Sequence, residues 1–72
     1  MVWNKDSEGT EFMEMKGMTM VVYHIVNVLY GWHITVPYEE GRRHCLEKGQ
    51  DFGRENCKNI CLDYINRSAC IN

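Results

Sequence analysis

The sequence has no stripe of basic residues, and its central segment has no formal charge at all. Residues 18–37 contain no Asp, Glu, Lys or Arg, whereas residues 1–17 hold four acids and two bases and residues 38–72 hold six of each. The net charge is −2. Because nucleic-acid binding depends on Lys and Arg contacts to phosphate, direct DNA or RNA binding is not expected. The mildly acidic balance instead suits a basic protein partner.

Recognisable catalytic signatures are also lacking, so we do not expect an enzyme. His24, His33 and His44 are the obvious acid–base candidates, but none has a partner at a spacing typical of a catalytic dyad. Ser7 and Ser68 lie in terminal segments without the context of a nucleophile. A chain of 72 residues makes one small domain with little room for a deep active site. Domains of this size usually present a binding surface.

The four cysteines leave three interpretations open. An even count in a short chain is compatible with disulfides, but the N-terminal segment MVWNKDSEGTEF has no apolar signal sequence, so we expect a cytoplasmic, reducing location. Zinc binding by His44, Cys45, Cys57 and Cys61 is the second interpretation, although the spacing C-x11-C-x3-C matches no common zinc pattern. We favour the third, in which Cys57 and Cys61 are small core residues of a helix and Cys70 is unassigned. No metal or cofactor is expected.

The uncharged segment 18–37 is long enough to cross a membrane, but its residue types favour strands. We predict two antiparallel strands, 18–26 and 32–36, joined near 27–31 and ended by Pro37. The first strand is apolar on both faces, which is typical of a strand covered on both sides or shared with another chain. We therefore expect a homodimer or a protein partner. A membrane protein with a single span is the alternative.

The remaining elements complete a small α+β domain over residues 18–72. Residues 42–48 are predicted to form a third strand, with a helix over 38–50 as the less favoured alternative because of its two interior glycines. Asp51 is predicted to cap a C-terminal helix. The apolar stripe of that helix recurs at three- and four-residue steps, through Phe52, Cys57, Ile60, Cys61, Tyr64 and Ile65. The expected architecture is a three-stranded antiparallel sheet packed against one C-terminal helix, in the order β-β-β-α. Residues 68–72 either add a short edge strand or fray.

Residues 1–17 are either a disordered extension or an additional, fourth strand. The stretch TEFMEMK at 10–16 alternates between apolar and polar residues, and Lys16–Gly17 is suited to a tight hairpin turn onto the next strand. The sequence does not decide between these two alternatives.

The order of these motifs resembles the N-terminal domain of HicB-type antitoxins. Gly31-Trp32 stands at the family's Gly-aromatic step, Thr35-Val36-Pro37 at its strand end and Gly41 at its turn glycine. Glu55-Asn56-Cys57-Lys58 stands at its E-N-A-K helix signature, and Tyr64-Ile65 closes the helix. The similarity covers about residues 18–65, roughly two-thirds of the chain. The family's acidic Leu-Pro-Gly turn is replaced by Tyr38-Glu39-Glu40-Gly41.

The resemblance implies a partly RNase H-like domain that sterically neutralises a small, basic, mRNA-cleaving toxin. Members of the family continue into a DNA-binding module, which has no counterpart in this sequence, so operator binding is not expected. An alternative within the same class is a small viral or plasmid-encoded antagonist of another host protein. A cysteine-stabilised or zinc-holding module is the remaining alternative. As the protein-binding surface we predict the exposed side of the sheet and the bridge 38–48, with Trp32, Tyr38, Glu39 and Glu40 as contact residues.

Overall fold

The computed structural model describes residues 3–69, which form one antiparallel sheet and one helix. The sheet has five strands in this range, and they pair in chain order with every neighbouring pair antiparallel. The α+β class with a single helix agrees with the sequence, but the prediction of a three-stranded sheet is wrong. The elements are β1 (Asn4–Lys5), β2 (Glu11–Met15), β3 (Met18–Val26), β4 (Leu29–Pro37), β5 (Arg43–Phe52) and α1 (Arg54–Ala69).

The N-terminal segment joins the sheet through the tight turn between β2 and β3. Lys16 and Gly17 adopt φ values of 54° and 79°, as a two-residue hairpin loop with right-handed strand twist requires. Met15 then pairs with Met18, and β2 lies alongside β3 as far as Glu11 and Val22. Of the two alternatives for residues 1–17, the structure therefore has the strand, and β1 extends the sheet by one more short segment.

The hairpin of β3 and β4 is longer than predicted because its turn is tighter. Asn27 adopts a φ of 52°, and Val26 pairs directly with Leu29. Gly31 consequently lies within β4 and not in the connection. Pro37 is the last residue of β4, as predicted. The segment 18–37 is thus a strand pair, and within residues 3–69 no helix is sufficiently long and apolar to cross a membrane.

The helix begins later than predicted because β5 extends to Phe52. Asp51 and Phe52 pair with Tyr30 and Leu29 of β4, so neither residue belongs to the helix. The chain then turns at Gly53, whose φ of 88° is a left-handed conformation that favours glycine. The predictions of a strand ending at Lys48 and of a helix cap at Asp51 are therefore wrong. Ser68 lies in α1, whereas residues 70–72 are outside the described range.

The core lies between α1 and one face of the sheet. Cys57 and Cys61 are fully buried there, which confirms the prediction that they are core residues. Gly49 of β5 leaves room for the indole of Trp32, since a Cβ at Gly49 would stand 2.7 Å from Cζ2 of Trp32. The buried apolar residues of the described range are Met13, Met20, Val22, Trp32, Ile34, Cys57, Cys61 and Ile65.

A buried ion pair fastens β2 to the helix. Glu11 is only 7% exposed, and its Oε2 and Oε1 atoms lie 2.9 and 3.1 Å from the Nζ of Lys58. The Nη1 atom of Arg54 lies 3.4 Å from the same Oε2. The Nζ of Lys58 also stands 5.4 Å from the ring centroid of Trp3, at a distance suited to a cation–π contact. Together with the buried side chain of Met13, this cluster holds the N-terminal strands against α1.

The cysteines provide a direct test of the packing. Burial raises the pKa of Cys61 to about 12, and burial together with the charge of Asp51 raises the pKa of Cys57. Alkylation requires the thiolate, so at pH 8 we expect iodoacetamide to modify the exposed Cys45 and to spare Cys57 and Cys61. Peptide mass mapping with and without denaturant measures this site by site. Rapid native labelling of Cys61 would contradict the packing.

The raised pKa of Cys61 also predicts that the fold loses stability at alkaline pH. A thiol whose pKa is raised in the folded state binds its proton more tightly when folded, so its stabilising contribution is complete below the ordinary value of 9.0. That contribution declines as pH rises from 9.0 towards about 12. We expect the free energy of unfolding to fall over this interval and to fall less in Cys61→Ala, measured by urea titration at each pH.

Candidate protein-binding surfaces

The side of the sheet that faces away from α1 is uncovered in residues 3–69. Cross-strand pairing places Val21 opposite both Phe12 and His33, and His33 opposite Lys48. Directly paired residues share one face of a sheet, and the sequence neighbours of Val21 in β3, Met20 and Val22, are buried under the helix. We call this uncovered side the open face; it comprises Phe12, Glu14, Thr19, Val21, Tyr23, Val26, Leu29, Gly31, His33, Thr35, Arg43, Cys45, Lys48, Gln50 and Phe52.

The centre of the open face is aromatic and uncharged. Tyr23 lies over Gly31, where a Cβ would fall onto the tyrosine ring. The ring centroids of Tyr23 and His33 are 5.9 Å apart. Burial lowers the pKa of His33, which favours the neutral imidazole at neutral pH. A shallow cleft of about 350 Å³ lies beside Tyr23 and is lined by Lys48, Gly49 and Gln50.

One end of the open face carries the most exposed apolar side chains. Val26 and Phe52 are 52% and 64% exposed, and both pair with Leu29 of β4. Val28, in the neighbouring turn, is 63% exposed. Phe12, on β2, is a further exposed apolar residue of this face. Exposed apolar side chains grouped at one end of a sheet are typical of a protein–protein contact.

The open face carries three formal charges, and the side chain of Arg43 reaches across it to Thr19, the residue paired with Glu14. Glu14 belongs to β2, whereas Arg43 and Lys48 belong to β5. Arg43 is held across the face, because its Nε donates to the hydroxyl of Thr35 at 2.8 Å and its Nη2 donates to the hydroxyl of Thr19 at 2.7 Å. The helix side of the sheet, by contrast, carries three acidic residues of β2 and β5, namely Glu11, Glu47 and Asp51.

The turn between β4 and β5 is a second exposed surface. Tyr38 is 67% exposed, and the two acids that follow it, Glu39 and Glu40, are also exposed; the Oε2 of Glu39 lies 3.9 Å from the Nη1 of Arg42. The backbone N–H of Arg42 donates to the carbonyl of Glu39 at 2.8 Å, and the N–H of Tyr38 donates to the carbonyl of Arg42 at 3.1 Å. These bonds hold the turn in a defined shape, so the aromatic ring and both carboxylates project from one end of the sheet.

The strand next to this turn lies at the edge of the described sheet. β5 pairs with β4 on one side only, so the backbone groups on its other side are available to an additional strand. A bulge interrupts it where Ile34 pairs with Glu47 but Thr35 pairs with Cys45, which leaves Leu46 as the extra residue.

The four predicted contact residues do not form one surface. Tyr38, Glu39 and Glu40 lie together in the turn, but Trp32 is only 8% exposed and packs in the core under α1. The open-face residues Phe12 and Phe52 were not predicted as contact residues. The alternation of apolar and polar residues in β2 could have identified Phe12 as a residue of this face. Phe52 could not be identified in the same way, because it was assigned to the apolar stripe of the predicted helix.

The predicted zinc candidates do not converge. Cys45 lies on the open face, whereas Cys57 and Cys61 lie between the sheet and the helix. In the part of the chain that the structure describes, no three His, Cys, Asp or Glu side chains are grouped to hold a metal ion. Cys45, Cys57 and Cys61 are free thiols, and Cys70 lies outside the described residues.

Comparison with known proteins gives no match to a family model, to a curated protein or to a solved structure.

Proposed function

We propose that this chain is a small, non-enzymatic inhibitor that binds a basic protein through the β4–β5 turn and the adjoining edge of β5. The observation that carries this proposal is the exposed group of Tyr38, Glu39 and Glu40 beside an unpaired strand edge. Aromatic side chains are common anchors of interfaces, and paired acids steer and orient a basic partner. The free backbone groups of β5 can accept a strand of that partner.

The resemblance to HicB-type antitoxins supplies the class of partner in this proposal. Such a partner is a small, basic, mRNA-cleaving toxin, and inhibition is steric, because the bound chain covers the toxin's RNA-binding face. The turn occupies the position of the family's acidic Leu-Pro-Gly turn and keeps two carboxylates, Glu39 and Glu40. A reaction catalysed by this chain has no part in the mechanism.

Reversing the charge of the turn tests the proposal. The tagged chain is captured from its own cells under reducing conditions, and the eluate is analysed by native mass spectrometry. We expect one stoichiometric small basic protein with the wild type and at least about a tenfold weaker affinity with Glu39→Lys/Glu40→Lys, because two attractive charges become repulsive. Glu8→Lys/Asp63→Lys, with the same change in net charge at other exposed sites, is the matched control and is expected to keep the partner.

Activity of the captured protein completes the test. The partner alone should cleave mRNA, and stoichiometric addition of the wild-type chain should stop the cleavage, whereas the turn variant should not. A partner that is retained equally by the turn variant, or that is not inhibited on binding, would refute the proposed function.

A further inference from the structure

We propose that the partner of this chain adds a strand to the free edge of β5, and that this strand carries a basic, a large apolar and a second basic residue at alternate positions. The inference rests on the proposed inhibitor function and specifies how the basic partner is recognised. It concerns residues 47–52, which the bulge at Leu46 separates from the turn 38–42. The strand contact and the turn contact can therefore be tested by separate substitutions.

The backbone of β5 offers hydrogen-bonding groups at alternate residues. At the end of the β4–β5 pair, the N–H of Gly53 donates to the carbonyl of Val28 at 2.7 Å. In an antiparallel pair, residues that bond to the neighbouring strand alternate with residues that do not. The residues two and four positions before Gly53 therefore bond to β4, and those between turn their backbone groups to the free edge. The edge-facing residues of this stretch are Lys48, Gln50 and Phe52.

The available stretch of the edge has defined ends. The N–H of Phe52 donates to the Oδ1 of Asp51 at 2.7 Å, which agrees with its direction away from β4 and occupies it. The bulge at Leu46 interrupts the edge at the other end. Between these limits, the N–H and C=O groups of Lys48 and Gln50 are open to an additional strand. The edge thus fits a short strand of a partner.

The helix side of this stretch carries two acids separated by a glycine. Glu47 and Asp51 each lie two residues from Gly49, so all three residues share the side of the sheet that α1 covers. Neither carboxylate forms an ion pair with another residue of the range 3–69. A strand paired with β5 places one side chain beside each acid, with about 5 Å between Cβ atoms. Lys or Arg at those two positions would neutralise both carboxylates.

A large apolar residue suits the position between the two bases. Trp32 pairs with Gly49, and its indole lies so close over the glycine that a Cβ there would stand 2.7 Å from Cζ2. A glycine in a strand commonly marks a place where another chain segment approaches closely. An apolar side chain opposite Gly49 would lie beside the indole and extend the apolar layer under α1. The helix side of the added strand therefore has the pattern basic, apolar, basic.

A second copy of β5 does not supply this pattern. In an antiparallel pairing of two copies centred on Gly49, Glu47 stands opposite Asp51, and a pairing centred on Lys48 puts that lysine opposite itself. Like charges directly opposite each other destabilise a strand pair. A pairing centred on Gln50 leaves both acids opposite glycines, without a base. The charges of the edge therefore favour a basic partner over a second copy.

Three synthetic peptides test the recognition pattern by isothermal titration calorimetry with the full chain. The peptide TKTITKT places both lysines and the isoleucine on one face of a strand, TETITET replaces the bases by acids, and KTTITTK moves the lysines to the opposite face. We expect the first peptide to bind at least about tenfold more tightly than the other two. Glu47→Lys should weaken its binding about tenfold, because one attraction becomes a repulsion.

Gln50→Pro tests whether the edge backbone makes the contact. Because the N–H of Gln50 points away from β4, proline removes an edge donor without breaking a bond of the sheet. Gln50→Ala keeps that N–H and is the matched control, and far-ultraviolet circular dichroism verifies that both variants fold. We expect Gln50→Pro to bind the first peptide and the captured partner at least about tenfold more weakly, whereas Gln50→Ala keeps both.

The outcomes separate the strand contact from the inhibitor function. A first peptide that binds no better than TETITET, or that binds Gln50→Pro as tightly as the wild type, would overturn the proposed strand. So would a homodimer that Gln50→Pro dissociates, because the edge would then belong to a second copy. If Gln50→Pro keeps the captured partner while Glu39→Lys/Glu40→Lys loses it, the strand contact fails and the inhibitor function stands. If the peptide binds as expected but the captured protein is not inhibited, the inhibitor function fails and the strand-binding edge stands.

Discussion

Trp32→Ala is expected to lower the free energy of unfolding by about 4 kcal/mol, the largest effect of any single substitution considered for this chain. Trp32 is 8% exposed, lies in the buried cluster and fills the space above Gly49. Its removal therefore leaves a large cavity between the sheet and α1. A 72-residue domain has a total stability of about 4–11 kcal/mol, so this loss is a large fraction of the whole. Urea denaturation followed by circular dichroism measures the loss.

Two further substitutions test whether the loss of stability comes from the buried volume of Trp32. Tyr38→Ala removes an aromatic side chain that is 67% exposed and should change stability by less than about 0.5 kcal/mol. Trp32→Phe keeps most of the apolar volume and eliminates the buried Nε1–H, which has no acceptor among the described residues. It should therefore retain most of the wild-type stability. Equal losses in Trp32→Ala and Tyr38→Ala would show that Trp32 is not a core residue.

Lys58→Met is expected to cost about 3 kcal/mol, because it leaves the carboxylate of Glu11 buried without its nearest cation. The side chain of Lys58 is 14% exposed and that of Glu11 is 10% exposed, so water replaces little of the lost interaction. The guanidinium of Arg54, 3.4 Å from Glu11, limits the cost by remaining close to the carboxylate. Loss of the ion pair also releases β2 from α1, so the N-terminal strands should exchange amide hydrogens faster.

The double variant Glu11→Leu/Lys58→Met separates the ion pair from simple packing. Since both charges are removed together, only Arg54, whose side chain is 31% exposed, loses an ionic partner, and stability should return to within about 1 kcal/mol of the wild type. Denaturant titrations of the two single variants and the double variant give the coupling energy. Additive losses in the double variant would mean that the two side chains stabilise the fold independently.

The strand content of the middle of the chain was predictable because local patterns are strong there. β-branched residues and alternation identified β3 with its observed bounds, and the single proline ended β4 where predicted. The apolar spacing of Cys57, Cys61 and Ile65 identified the buried side of the helix. These features depend on residues close together in sequence, so they can be predicted from the periodicity of the sequence.

The errors occurred where distant contacts decide the structure. Asp51 has the chemistry of a helix cap, but β4 offers Asp51 and Phe52 strand partners, and the helix starts only after Gly53. β2 has a short alternating pattern, yet its place against α1 depends on the ion pair of Glu11 with Lys58, 47 residues later. Trp32 was predicted as an exposed anchor, and only the position of the helix shows that it is buried.

The candidate surfaces show the same division between local pattern and tertiary contact. The sequence by itself determined the exposed acidic turn at Tyr38–Glu40, the absence of charge in residues 18–37 and the two-faced apolar character of β3. Only the tertiary structure decided which apolar face the helix covers and that Arg43 of β5 reaches across the uncovered one to Thr19 of β3. The physical reason is that a strand's faces are equivalent until something packs on one of them, and the helix that does so follows β2 by about 40 residues.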